Sequence, residues 1–234
     1  MTRAKKLYVL TSLLVLMLFV CTETLSAVTT HRMSYDEEKR TLDQFQLQTV
    51  EEPMHNTFCC FSIGDNGAYA LGFPGALYKT VVIYDANGEF VKRYDFRCDG
   101  DYGIRLEDEE LQIYFARSER MISVSLKDDL MRAYQCKSNG ESAEFWNETL
   151  HPRVVEANGE VYRAYSDSFL LSLFTNGEAK LVKTTADGAE IILHDASALQ
   201  RSQAIFSMVI AAVILTIAAS LSVRLIYTAV KQGK

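Results

Sequence analysis

Between Ala204 and Val223 the chain runs for 20 residues without a charged side chain, AIFSMVIAAVILTIAASLSV. As a helix at about 1.5 Å per residue, such a run covers about 30 Å, the hydrocarbon thickness of a bilayer. Arg224, Lys231 and Lys234 follow it, and no acid does. Because basic residues are retained on the cytoplasmic side, this asymmetry predicts a cytoplasmic C-terminus. Residues 196–227 therefore read as a juxtamembrane and transmembrane helix, and 228–234 as a short cytoplasmic tail. Asp195 stands where an N-cap would, ahead of a helix running from Ala196 through Gln203 into the span without a break.

The other end is also apolar, but shorter. Arg3, Lys5 and Lys6 precede a 14-residue apolar run, Leu7 to Val20. Residues 1–27 read as a signal peptide cleaved after Leu25-Ser26-Ala27, or as an uncleaved N-terminal signal anchor. Either outcome places 28–203 outside the cytoplasm of a cell-membrane protein, single-pass after cleavage and two-pass without it. Of the 24 Lys and Arg residues, 6 lie in the two apolar ends (1–27 and 204–234), against 1 of the 30 Asp and Glu. The middle is thus strongly acidic, which argues against a nucleic-acid partner.

Residues 58–195 read as a β-rich extracytoplasmic domain. Turn dipeptides recur: Asn66-Gly67, Asn87-Gly88, Asp99-Gly100, Asn139-Gly140, Asn158-Gly159, Asn176-Gly177 and Asp187-Gly188. Each tolerates the positive φ that tight hairpins require. Between them lie β-branched and aromatic runs such as Thr80–Tyr84, Phe90–Tyr94, Leu111–Phe115, Met121–Val124, Val161–Tyr165 and Phe169–Phe174. The charge run Asp36–Arg40 makes 28–57 read as a solvated stalk or linker, with a first strand near Phe45-Gln46-Leu47.

A weak repeat runs through the domain. VVIYDANGEFVKRYDFRC (81–98) is similar to MISVSLKDDLMRAYQC (121–136) at an offset of 40. AKLVKTTADGAEIILHD (179–195) sets Gly188 against Gly88 at an offset of 100. The runs 61–73, 102–115 and 162–174 precede these copies, giving three units of about four strands. By period, these units resemble the four-stranded blades of β-propellers of the WD40 or NHL type. The resemblance implies blade-like packing; a sandwich is the alternative. Three blades do not close a ring, so it also implies either an open stack or two chains combining theirs.

Few residues point to chemistry. Cys59, Cys60, Cys98 and Cys136 lie in the exported region, and four cysteines allow three pairings. Cys98 and Cys136 are the candidate disulfide pair, and buried free thiols are the alternative. No cysteine or histidine spacing suits a zinc site, and neither a metal nor a cofactor is expected. The four histidines are scattered, and no nucleophile motif accompanies them, so the chain does not read as an enzyme. Glu107–Glu110 reads as an acidic turn between strands. The 12 Tyr and 12 Phe suit half-exposed sheet faces.

In the span, Ser207, Ala211, Ala212, Thr216 and Ser220 form a candidate helix–helix face, because small residues let helices approach closely. The expectation is a membrane-anchored binding, sensing or scaffolding module whose partners are the lipid bilayer, an envelope or membrane protein, and a second copy through the small-residue face. The alternatives are an accessory subunit of a transport or secretion complex and, less supported, a surface hydrolase, which would need a polar catalytic cluster.

Overall fold

The computed structural model describes residues 30–107, 109–136, 150–166, 175 and 177–232. The leader or anchor at 1–27, the turn at Asn139-Gly140 and the strand at Phe169–Phe174 lie outside the described residues. What is described is mainly β, with three antiparallel sheets and one C-terminal apolar helix.

The first sheet has the order β2-β6-β5-β4-β3, from β2 (Gln48–Val50), β3 (Cys60–Ile63), β4 (Tyr69–Phe73), β5 (Tyr78–Tyr84) and β6 (Phe90–Arg97). The second has the order β1-β10-β9-β8-β7. Its strands are β1 (Thr30–Arg32), β7 (Tyr102–Glu107), β8 (Glu110–Phe115), β9 (Arg120–Ser125) and β10 (Met131–Cys136). The third is β11 (Val154–Ala157), β12 (Glu160–Tyr165), β13 (Lys180–Thr184) and β14 (Glu190–Asp195), in that order. Each sheet contains one run of four consecutive antiparallel strands, and the first two add an outer fifth.

The turns follow the chemistry of their residues. Asn158 and Gly159 both have positive φ (55° and 74°), so β11 and β12 join through a two-residue loop with Ala157 opposite Glu160. The turns at Gly88 and Gly188 are built alike. Asp85 and Thr185 each donate a backbone N–H to the residue four on and accept one from the glycine. The offset of 100 therefore marks two equivalent hairpins.

The first sheet is the middle layer. One face presents Ala70, Val81, Ile83, Tyr94 and Phe96 to Ile104, Leu111, Ile113 and Ile122 of the second sheet. The other presents Phe61, Leu71, Phe73 and Val82 to Tyr162, Ala164 and Leu181 of the third. Every residue of β4 is buried, because a strand covered on both faces loses the in–out alternation of a half-exposed one. Each of these large apolar side chains contributes about 1.5–3 kcal/mol by leaving water.

The expected stalk is not a stalk. Residues 30–50 fold as β1, helix α1 (Tyr35–Phe45) and β2. β1 pairs with β10 on the edge of the second sheet, and β2 with β6 on the edge of the first. The acidic run is the first turn of α1, where negative charge suits the helix dipole. Ser34 caps it, and its backbone N–H and hydroxyl both reach the Glu37 carboxylate. Phe45, expected in a strand, ends the helix instead. It is buried against Phe96 (ring centroids 4.9 Å apart) and edge-on to Phe115 (5.6 Å).

Candidate functional site at the root of the apolar helix

Helix α2 (Ser197–Gln232) leaves β14 with a single intervening residue, Ala196. Asp195 accepts a hydrogen bond from the Ser197 backbone N–H at 2.9 Å and so caps the helix, in the position read from sequence. Gln200 is fully buried. Its amide donates to Ser166 Oγ (2.9 Å), Thr175 Oγ1 (3.2 Å) and the Gly177 carbonyl (3.3 Å). Ala204, one turn on, is also fully buried. Beyond this root the helix stands clear of the sheets, and Ser197–Ala218 is long and apolar enough to cross a membrane, with mean hydropathy 1.8.

The small residues of the helix divide into two stripes. Ser207 and Ala211 continue the domain-facing line of Gln200 and Ala204 and are half-buried. Ala212, Thr216 and Ser220 are turned away from it. The hydroxyls of Thr216 and Ser220 donate to the carbonyls of Ala212 and Thr216, four residues back (2.8 Å each). This second stripe lies on an exposed face of the helix.

A crevice of about 820 Å³ lies beside the root. Its walls include Cys59, Lys79, Tyr102 and His151 from the domain, with Gln203, Phe206 and Ser207 from the helix. Cys59 precedes β3, and its sulfur lies 4.0 Å from that of Cys60 and 3.3 Å from the Gly72 carbonyl. The Tyr102 hydroxyl, fully buried, faces the carbonyls of Phe73 (3.0 Å) and Thr80 (2.9 Å). Lys79 donates its ammonium to the Gly75 carbonyl at the rim. His151 Nδ1 lies 3.2 Å from the Cys59 carbonyl.

The sulfurs differ in acidity. The contact with the Cys60 sulfur, helped by Tyr102 and the positive Lys79, holds the Cys59 thiol below the usual cysteine range against the opposing effect of burial. Burial pushes Cys60 well up, and pushes Cys98 and Cys136 up to about 11. Cys59 is therefore the cysteine most ready to ionise.

All four are free thiols in this structure, as in the alternative reading of buried thiols, and the candidate pair Cys98 and Cys136 is not bonded. The reason is topological. The spacing of 38 suggested equivalent places on neighbouring strands, but Cys98 follows β6 of the first sheet and donates towards the Gly100 carbonyl, whereas Cys136 ends β10 of the second. Sequence reading passed over Cys59, Lys79 and Tyr102 as a group because 20 and more residues separate them; the adjacent Cys59-Cys60 pair was the signal.

A second crevice, of about 690 Å³, opens under α1. Arg97, Arg117 and Arg120 line it with Asp43 and Asp99, and the Arg120 Nε is buried without a hydrogen-bond partner among the described residues. Opposite charges nearly balance there. Among the described residues no group of three or more His, Cys, Asp or Glu is placed to hold a metal ion.

No family model matches the chain, and no curated protein does. Among solved structures, the crystal structure of Kluyvelomyces marxianus Hsv2 is similar at 11% identity and a TM-score of 0.22, over 58% of this chain and 50% of that one. The chain thus spans half the length of that protein, and a likeness of this degree carries no argument about fold or function.

Proposed function

We propose that the chain is a membrane-anchored extracytoplasmic β-domain that binds, senses or scaffolds another component of the envelope. The observation that carries this reading is the root of α2. Asp195 caps the apolar helix where it leaves β14, and Gln200 ties its first turns to Ser166, Thr175 and Gly177 between β12 and β13, so a helix crossing the bilayer would hold the domain at a fixed attitude against its surface. The basic residues flanking both apolar ends support an outward-facing domain. The three consecutive four-stranded meanders support blade-like packing over a simple sandwich, since β3 touches both β7 and β11. In this reading the crevice beside the root faces the headgroup layer, where a membrane partner would meet it.

A second reading, accessory subunit of a transport or secretion complex, is favoured by the outward stripe Ala212, Thr216 and Ser220, which suits packing against helices of a multispan protein.

The test is protease protection of the full chain in cells whose outer surface is accessible, combined with alkaline carbonate extraction. The expected result is a domain cut from outside, a protected C-terminal tag and retention in the membrane pellet. Release by carbonate, or a domain shielded from protease, would overturn the anchoring. Stoichiometric co-purification of one multispan protein in mild detergent would decide for the accessory-subunit reading.

A further inference from the structure

We propose that the turn between β4 and β5 is a membrane-contact loop, seating Leu77 and Tyr78 in the headgroup layer of the bilayer that α2 crosses. The inference rests on the anchored reading above and adds a second contact between domain and lipid.

Depth carries the argument. The turn is Pro74-Gly75-Ala76-Leu77, and Tyr78 opens β5. Pro74, Gly75 and Ala76 line the same crevice as Gln203, Phe206 and Ser207 of the helix. The charge-free run of α2 begins at Ala204, so Phe206 and Ser207 stand about 3–5 Å inside it at about 1.5 Å per residue. A turn that shares a crevice with them lies level with the mouth of the span, where headgroups meet acyl chains.

The chemistry of the turn suits that level. No charged residue occurs from Ala68 to Tyr78. Leu77 and Tyr78 are 42% and 51% exposed. Tyrosine is favoured at membrane interfaces, where its ring lies in an apolar layer and its hydroxyl in a wet one. The backbone is prepared for a drier medium as well. Pro74 has no N–H, the Lys79 ammonium donates to the Gly75 carbonyl, and the Cys98 N–H donates to that of Leu77 (3.3 Å). Gly75 lets the turn close, since a Cβ there would run into the Tyr78 carbonyl. Lys79 and Asp101, the charged residues lining the crevice, offset each other, so the contact is apolar and not a pairing with anionic lipid.

The test places the full chain in phosphatidylcholine vesicles whose lipids are brominated near the headgroup or near the chain end, and reads tryptophan quenching. Leu77→Trp, Val91→Trp and Leu215→Trp are compared, each after subtracting the quenching of the parent chain, which carries Trp146. Val91 is exposed in β6, near the Asn87-Gly88 turn and at the opposite end of the hairpin from Tyr78. Leu215 lies about 16 Å into the charge-free run. The expected result is several-fold more quenching at Leu77→Trp than at Val91→Trp, stronger with shallow than with deep bromines. Leu215→Trp shows the reverse depth order, and added phosphatidylglycerol leaves the Leu77→Trp signal unchanged. Quenching at Leu215→Trp, with Leu77→Trp no different from Val91→Trp, would overturn this proposal alone. No quenching at Leu215→Trp would overturn the anchored reading and the proposal together. A Leu77→Trp signal that needs phosphatidylglycerol would overturn the apolar contact. Tyr78→Trp repeats the measurement if Leu77→Trp does not fold.

Discussion

A Cβ added at Gly72 would press on Cys60 Sγ and the Tyr102 hydroxyl, the first fully buried in its strand and the second held by two carbonyls. Gly72→Ala is therefore expected to destabilise the domain by about 1–3 kcal/mol, as overpacking does in tight cores, read as a lowered urea midpoint. An unchanged midpoint would show that the thiol cluster can give way. A second residue-scale effect belongs to His194. Its Nε2 lies 2.8 Å from the Asn56 carbonyl, with His55, Phe58 and Phe73 around the ring and Asp195 next in sequence. Burial, above all, holds its acidity constant below the usual histidine value. The unfolded chain then binds the proton more readily, so stability present above about pH 6.5 is lost as pH falls below it. Thermal unfolding from pH 7.5 to 5.5 should show this decline in the wild type and a shallower one in His194→Gln; parallel slopes would count against His194 as the source.

At the scale of elements, legibility followed the source of each element's stability. Turn glycines were readable because positive φ is a property of one or two residues, and Gly67, Gly88, Gly100, Gly159, Gly177 and Gly188 all adopt it. The apolar C-terminal helix and its Asp195 cap were readable because they too rest on residues adjacent in the chain. Helix α1 was misread because its apolar face is small, and the charges of Asp36–Arg40 dominate its composition. Its start was nonetheless written in Ser34 and Glu37, a capping pair three residues apart. β1 and β2 were not legible as sheet edges, since three-residue strands acquire meaning only from partners elsewhere in the chain. The thiol cluster was hidden likewise: Cys59, Lys79 and Tyr102 meet only after β3, β5 and β7 have packed. Phe45→Ala removes the ring that joins α1 to both sheets and is expected to cost about 3–5 kcal/mol. Chemical denaturation checks this; a cost below about 1 kcal/mol would make the helix an appendage after all.

For the whole molecule, the two stripes on α2 separate two kinds of defect. Leucine at Ala212, Thr216 and Ser220 together should weaken any helix–helix association, seen as loss of cross-linked dimer in membranes, and leave the domain's protease resistance intact. Leucine at Ser207 and Ala211 should act on the domain side and leave the dimer band unchanged. An identical dimer band in both sets would remove the outward stripe as an interface. A consequence in time follows from the segment 30–50. β1 is synthesised before any other described strand, yet its partner β10 lies about a hundred residues further along the chain. Pairings of such separation form slowly, because a long loop must close before the contact rewards it. The first described strand to leave the ribosome is thus among the last to find its place, and until then the β10 edge of the second sheet stays open to strands from other chains.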